Sequence, residues 1–100
     1  MDFSKLMEQA QKMQQDLTEM ESELSETNYI GRCGQDVKVK INGRYEMQEI
    51  EIADELMSLE NKEMLQDMIL IAQNDAVNNA SKDREERLGA ATAGIKIPGL

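Results

Sequence analysis

Basic side chains are the residues of this sequence whose charge could bind an anion such as a phosphate group. They collect towards the two ends of the chain, whereas residues 14–26 hold five carboxylates and no base. Residues 53–75 hold six carboxylates and one lysine. Ordinary solvated helix surface is the alternative interpretation of these cations. The candidate anion-binding residues are Lys5, Lys12, Lys82, Arg84, Arg87 and Lys96.

The net charge limits what these cations can bind. The 100 residues carry a formal net charge of −9, and the field of an acidic protein repels nucleic acid at long range. Contact with phosphate therefore requires a locally basic surface. Lys38 and Lys40 offer a second possibility, although lysines on a strand more often protect a sheet edge against aggregation.

The residue types of this sequence give little indication of catalysis or metal binding. Histidine is absent, and Cys33 is the single cysteine. The carboxylates of Glu19, Glu21, Glu23 and Glu26 would point to different sides of a helix instead of surrounding a cation. No glycine-rich phosphate loop follows a predicted strand. The sequence therefore predicts a protein that is not an enzyme and that uses no metal, cofactor or small-molecule substrate.

The first 26 residues predict a long helix, with Ser4 as a plausible N-cap and an end near Glu26. Apolar residues in steps of three and four form one narrow stripe, which something must cover. Acidic residues beside it, such as Asp16 and Glu23, would repel a parallel copy of the same helix. We therefore expect the stripe to pack on another part of the fold. It consists of Phe3, Leu6, Ala10, Met13, Leu17, Met20 and Leu24.

Three antiparallel strands are predicted at about 27–34, 37–41 and 44–52. Asn42-Gly43 is typical of a two-residue type I′ hairpin turn, and a bulge near residues 48–49 is the competing register. The predicted packing face contains Val37, Val39, Ile41, Ile50 and Ile52, and the opposite face contains Lys38, Lys40, Tyr45 and Met47.

A second long helix is predicted over about 62–88, and three glycines with the only proline predict a flexible tail over 89–100. Residues 1–88 then form one α+β domain, with a long helix on either side of a small three-stranded sheet. If the helices pack antiparallel, the basic residues of both meet at one extremity. The apolar stripe of the second helix contains Leu65, Ile69, Ala72, Ala76 and Ala80, widened by Met64, Met68 and Ile71.

The composition favours assembly and a cytoplasmic location. Eight methionines and only three aromatic residues make a weak core for a monomer, so we expect an oligomer. There is no run of 18 apolar residues, which a transmembrane helix would need. The first residues also lack the basic segment followed by an apolar segment that is typical of a secretory signal peptide. We therefore expect no membrane partner, and a single cysteine fits a reducing compartment.

The order of several short motifs is more specific than any one of them. They are LMEQAQKMQ at 6–14, VKVKING at 37–43, IEI at 50–52, KEML at 62–65 followed by Asp67, NDA at 74–76, and GIKIPG at 94–99. Together they resemble the bacterial YbaB/EbfC family of nucleoid-associated proteins over essentially the whole chain.

This resemblance implies a tweezer-like homodimer with two protruding helical arms, located in the cytoplasm at the nucleoid. It implies binding of double-stranded DNA with little sequence specificity, and a contribution to nucleoid organisation and gene regulation. The triplet Asn74, Asp75 and Ala76 is the most recognisable part of the family pattern. Its position half-way along the second helix favours dimer or helix–sheet packing over contact with DNA.

Two other interpretations of the apolar surfaces stay open. The heptad stripe and the methionine-rich face could receive a helix from a protein partner, with no role for DNA. Less favoured is a chaperone-like protein that uses the methionine surface to hold its clients.

Overall fold

The computed structural model describes residues 2–92, with side chains up to residue 90. The chain forms the predicted α+β fold: a three-stranded antiparallel sheet of order β1-β2-β3 packs on the last long helix, and the first long helix meets the sheet at its hairpin end. Two 3₁₀ turns, Asp54–Leu56 and Leu59–Asn61, connect the sheet to the last helix. The elements are α1 (Phe3–Glu26), β1 (Asn28–Cys33), β2 (Val37–Asn42), β3 (Met47–Ile52) and α2 (Lys62–Thr92).

Both helices differ from the sequence prediction at one end. Asp2 is the N-cap of α1, because its carboxylate accepts the backbone N–H of Ser4, so Ser4 as the cap was wrong. The end of α2 lies at Thr92 instead of residue 88, which places residues 89–92 in a helix and not in a tail. The remainder of the predicted flexible tail, 93–100, lies outside the described residues.

The core lies between the sheet and the middle of α2. Alternate residues of β2 are fully buried, and they pack with three alanines spaced four apart on α2. The small side chains allow close approach: a Cβ atom on Gly31 of β1 would overlap the backbone of Ala72 and Ala76. The buried core residues are Tyr29, Val37, Val39, Ile41, Leu56, Ala72, Ala76 and Ala80.

The hairpin between β2 and β3 uses the bulged register. Val37 pairs with Ile52 and Val39 with Ile50, but Ile41 pairs with Met47, so Gln48 is the extra residue. The predicted two-residue turn was therefore wrong, and the competing bulge near 48–49 is confirmed. The pairing also moves Met47 from the predicted lysine face to the face of Ile41.

The turn itself has three residues. The N–H of Tyr45 donates to Asn42 O, the N–H of Asn42 donates to Glu46 O, and Tyr45 takes the left-handed conformation with φ 63°. Gly43 has a different role from the one its place in a type I′ turn suggests. A Cβ there would overlap the carbonyl group of Leu24, so the glycine lets α1 lie against the hairpin.

Lys38 and Lys40 lie on the central strand of the sheet. The interpretation that they protect a sheet edge was therefore wrong. Their ammonium groups pair across to β3, Lys38 with Glu51 and Lys40 with Glu49, both at 3.4 Å. These pairs stabilise the hairpin only slightly, since ion pairs exposed to solvent contribute little.

The first half of α2 is more exposed than its apolar sequence predicts. Leu65, Met68 and Ile69 pack on the core, but Met64 and Ile71 are exposed. Ala72, Ala76 and Ala80 carry the deepest burial instead. The outer side of this segment is therefore an uncovered apolar surface in the single chain.

The two helices run antiparallel, and the hairpin tip shows their register. Gly43 lies against Leu24 of α1, while the Tyr45 hydroxyl is 3.3 Å from Ser81 Oγ on α2. One turn further out, Glu21 meets Arg84. We call the sheet with residues 53–80 the body, and α1 with residues 81–92 the arm. The molecule is 71 Å long and 26 Å wide as a result.

Candidate nucleic-acid interface

The arm exposes most of its predicted stripe. Phe3 is 74% exposed and Leu6 45%, while Met13, Leu17 and Met20 are half-buried. Only Leu24, at 1% exposure, is fully buried, where α1 meets the hairpin. The expectation that another part of this chain covers the stripe therefore holds only at the base of the arm.

Three lysines of the arm are exposed and form no ion pair with any described residue. Lys5 and Lys12 lie on α1, and Lys82 lies on α2 just beyond the body. From the register of Glu21 with Arg84, Lys5 and Lys82 are separated by about 27 Å along the arm at a rise of about 1.5 Å per residue. The predicted compact basic extremity was wrong, because the cations are distributed along the arm's length. Lys96 lies outside the described residues.

The two arginines of the arm face carboxylates. Arg84 Nη2 pairs with Glu21 Oε1 across the two helices, and this hydrogen bond raises the pKa of Arg84. Arg87 Nε lies 3.1 Å from Asp83 Oδ2, one turn earlier on the same helix. Both guanidinium groups therefore have their charge balanced locally in the free chain.

Asp83 has a second partner that fixes it to the sheet. The hydroxyl of Tyr29 donates to Asp83 Oδ2 at 2.6 Å from the buried face of β1. Burial raises the pKa of Tyr29, and the hydrogen bond to Asp83 raises it further. Tyr29, Asp83 and Arg87 form a connected group at the junction of body and arm. The pairing of Tyr29 with Asp83 was not predicted, because the two residues lie 54 positions apart in the sequence.

The predicted packing residues lie in the body. The Asp75 carboxylate accepts the backbone N–H of Arg32 at 2.9 Å, and the next turn provides Asn79, whose amide donates to Ile30 O at 2.8 Å. The side chains of α2 thus satisfy the outer edge of β1. Asn74 is exposed and Ala76 is buried against Gly31. Of the five strand residues, Val37, Val39 and Ile41 are buried, Ile52 is half-buried and Ile50 is exposed.

Two other kinds of functional feature, a metal-binding cluster and a membrane-spanning helix, are absent from the described residues. Within residues 2–92, no three cysteine or acidic side chains lie close enough to hold a metal ion. No helix in that range has the length and apolar character needed to span a membrane. The arm, with its exposed lysines and its partly uncovered stripe, is therefore the candidate binding surface.

Comparison with known proteins identifies the family. Residues 1–95 match the model of the YbaB/EbfC DNA-binding family. The chain belongs to this family. A nucleoid-associated protein of Pelotomaculum thermopropionicum is 44% identical over 99 residues, covering 98% of this chain and 94% of the relative. One from Legionella pneumophila is 43% identical over 94 residues, covering 93% and 83%.

The YbaB/EbfC fold is also found among solved structures. The crystal structure of an uncharacterized protein from Helicobacter pylori matches with a TM-score of 0.73 and 28% identity, over 90% of this chain and 96% of that one. The names of the family and of its relatives describe nucleoid-associated DNA-binding proteins, not enzymes. The predicted resemblance is thus confirmed.

Proposed function

We propose that this YbaB/EbfC protein is a nucleoid-associated protein that binds duplex DNA as a homodimer, with little sequence specificity. It acts in the cytoplasm and contributes to nucleoid organisation and gene regulation. The observation that carries the proposal is the family match over residues 1–95. The arm supplies the chemistry, because its lysines form no ion pair with a described residue and can contact phosphate groups although the protein as a whole carries a net charge of −9.

Phosphate contact explains the low sequence specificity. Lysine is a flexible point charge that binds the DNA backbone, whereas base readout requires side chains fixed against a groove. Lys5, Lys12 and Lys82 lie at intervals along a 71 Å molecule, and such spacing suits phosphates several base pairs apart better than the edge of one base pair. The acidic residues between them keep the affinity moderate.

The uncovered apolar surface supports a homodimer. Large apolar side chains are exposed both on α2, among them Leu70 at 61% exposure, and on the edge strand β3. An extensive exposed apolar surface marks an interaction site. A second copy that covers it would place two arms on one particle and double the number of phosphate contacts. The exposed residues are Met47, Ile50, Met64, Leu70 and Ile71.

The test is a titration of a fluorescent 30-bp duplex at several salt concentrations. Changing Lys5, Lys12 and Lys82 together to Ala weakens binding at least about tenfold, and lowers the slope of log K against log salt by up to about 2.7. The matched control changes Lys38, Lys40 and Lys62 to Ala, which removes the same charge from the body. Equal losses in both variants would show that net charge alone governs binding.

Two further measurements test the finer points. Two unrelated duplexes of equal length bind within about threefold of each other if phosphate contacts dominate. Light scattering at increasing protein concentration gives the mass of a dimer, and Leu70→Asp lowers it to that of one chain.

The alternative is a protein-interaction module without DNA binding. The acidic net charge and the apolar stripe of α1, which is exposed at Phe3 and Leu6 and half-buried at Met20, favour it. Absence of duplex binding at 50 mM salt, together with binding of a partner helix to the wild-type arm and not to a Leu6→Asp variant, would establish this alternative.

A further inference from the structure

The two paired arginines of the arm differ in how firmly their carboxylates are held. Asp83 accepts both the Tyr29 hydroxyl and Arg87, so its place is fixed by the buried face of the sheet. Glu21 has Arg84 as its one side-chain partner among residues 2–92. Its side chain is 47% exposed, and that of Arg84 is 35% exposed. The second pair can therefore open without disturbing the core.

Opening this pair uncovers a further cation at the body end of the arm. Arg84 lies half a turn from Lys82 on α2, and both are level with the last turns of α1. Guanidinium binds phosphate with two parallel hydrogen bonds, as it binds a carboxylate. Glu21 and a DNA phosphate are thus competitors for the same group.

We propose that Glu21 is an affinity-setting residue: its carboxylate occupies Arg84 in the free protein and must be displaced before Arg84 can contact a DNA phosphate. The inference rests on the proposed function. It assigns to an acidic residue a role in DNA binding that neither the family description nor the relatives' names contain.

The pair also makes DNA binding depend on salt in two opposing ways. Salt weakens every phosphate contact through counterion release. Salt also weakens the exposed pair of Glu21 with Arg84, and so lowers the cost of releasing the arginine. The wild-type protein therefore has a shallower salt dependence than its number of cations suggests.

The experiment compares Glu21→Gln with Glu19→Gln in the full-length chain. Both variants remove one negative charge from α1, but Glu19 lies two residues away, on the opposite side of the helix, and pairs with no described cation. Glu21→Gln tightens binding to the 30-bp duplex about two- to fivefold more than Glu19→Gln and steepens the salt slope by about 0.9.

A double-mutant cycle assigns the gain to Arg84. Arg84→Ala has a small effect in the wild-type chain and a larger one in the Glu21→Gln chain, where the arginine is free. Thermal unfolding of each variant checks that the arm keeps its structure. Equal gains from Glu21→Gln and Glu19→Gln, or an effect of Arg84→Ala that is the same in both chains, would overturn the inference and leave the proposed function standing. Failure of all the variants to bind duplex DNA would overturn both.

Discussion

The body and the arm of this molecule differ in how far they bury their apolar side chains. In the body, residues far apart in the sequence bury one another: β2 lies under α2, and the backbone of β1 at Gly31 contacts Ala72 and Ala76. In the arm, Phe3 and Leu6 are exposed to solvent, and a few contacts, such as that of Leu24 with the hairpin, join the arm to the body. The core of the body forms within one chain, whereas most of the stripe of the arm, like the exposed apolar residues on the outside of the body, is exposed or half-buried in that chain.

This difference explains how an acidic protein can bind DNA. The body carries ion pairs that cancel within the sheet, such as Lys38 with Glu51. The arm leaves Lys5, Lys12 and Lys82 without a counter-charge among the described residues. Because exposed charges are screened within about 10 Å at 0.1 M salt, a phosphate beside a lysine of the arm senses little of the negative charge of the body, and the acidic residues of the arm itself, such as Glu8, are the ones that oppose binding.

The strongest test of the contrast is a glycine-to-alanine change in each region. Gly31→Ala places a methyl group inside the backbone of Ala72 and Ala76, so β1 must separate from α2. We expect a loss of at least about 3 kcal/mol in the free energy of unfolding, measured by urea denaturation. A variant that does not fold at all agrees with this expectation.

Gly89→Ala is the matched control in the arm. Outside its own helix, no described atom lies within 4 Å of the added Cβ, and alanine is the better helix former. We expect a gain of about 0.5–1 kcal/mol. Similar effects of the two changes would contradict the division into a tightly packed body and an open arm.

The two ends of the α1 stripe give a second comparison. Leu24→Ala empties a buried site at the base of the arm and costs about 2–4 kcal/mol. Leu6→Ala, at a position that is 45% exposed, changes the free energy of unfolding of one chain by less than about 0.5 kcal/mol. Denaturation at two protein concentrations measures both. A large loss for Leu6→Ala that grows with concentration would show that a second copy covers the stripe.

Local patterns predicted the body well where packing follows sequence periodicity. The alternation of Val37, Val39 and Ile41 and the four-residue spacing of Ala72, Ala76 and Ala80 identified the two packed surfaces. The hairpin register was harder, because Asn42-Gly43 indicates a two-residue turn by itself. Gly43 is needed for the approach of Leu24, which lies in another element, and no pattern within the hairpin encodes that contact.

The arm was predictable as a helix and much less so as a site. The spacing of the stripe gave α1 correctly, and charge counting selected the cations. Counting could not show which cations are neutralised, because Glu21 and Arg84 are 63 residues apart. Ion pairs between exposed residues depend on helix register, and a shift of one turn would pair Arg84 with a different residue.

The hydrogen bond at the junction of body and arm gives the smallest expected change in the free energy of unfolding. It is also the most specific test, because a single hydroxyl group is removed. Tyr29→Phe removes the hydroxyl that donates to Asp83 at 2.6 Å and costs about 1 kcal/mol near neutral pH. Tyr45→Phe, which removes a longer and more exposed contact with Ser81, costs less than about 0.5 kcal/mol and serves as the control.

The pH dependence separates this hydrogen bond from a general packing effect. Burial, followed by the bond to Asp83, raises the pKa of Tyr29 above its ordinary value of 10.0, so the unfolded chain loses this proton first. The stabilisation is complete below pH 10 and is lost as the pH rises from there through the folded-state pKa. Urea denaturation between pH 8 and pH 11 should therefore show the wild-type advantage over Tyr29→Phe shrinking, while Tyr45→Phe, which keeps Tyr29, retains the alkaline loss. A constant advantage across this range would mean that the hydroxyl acts through packing and not through its proton.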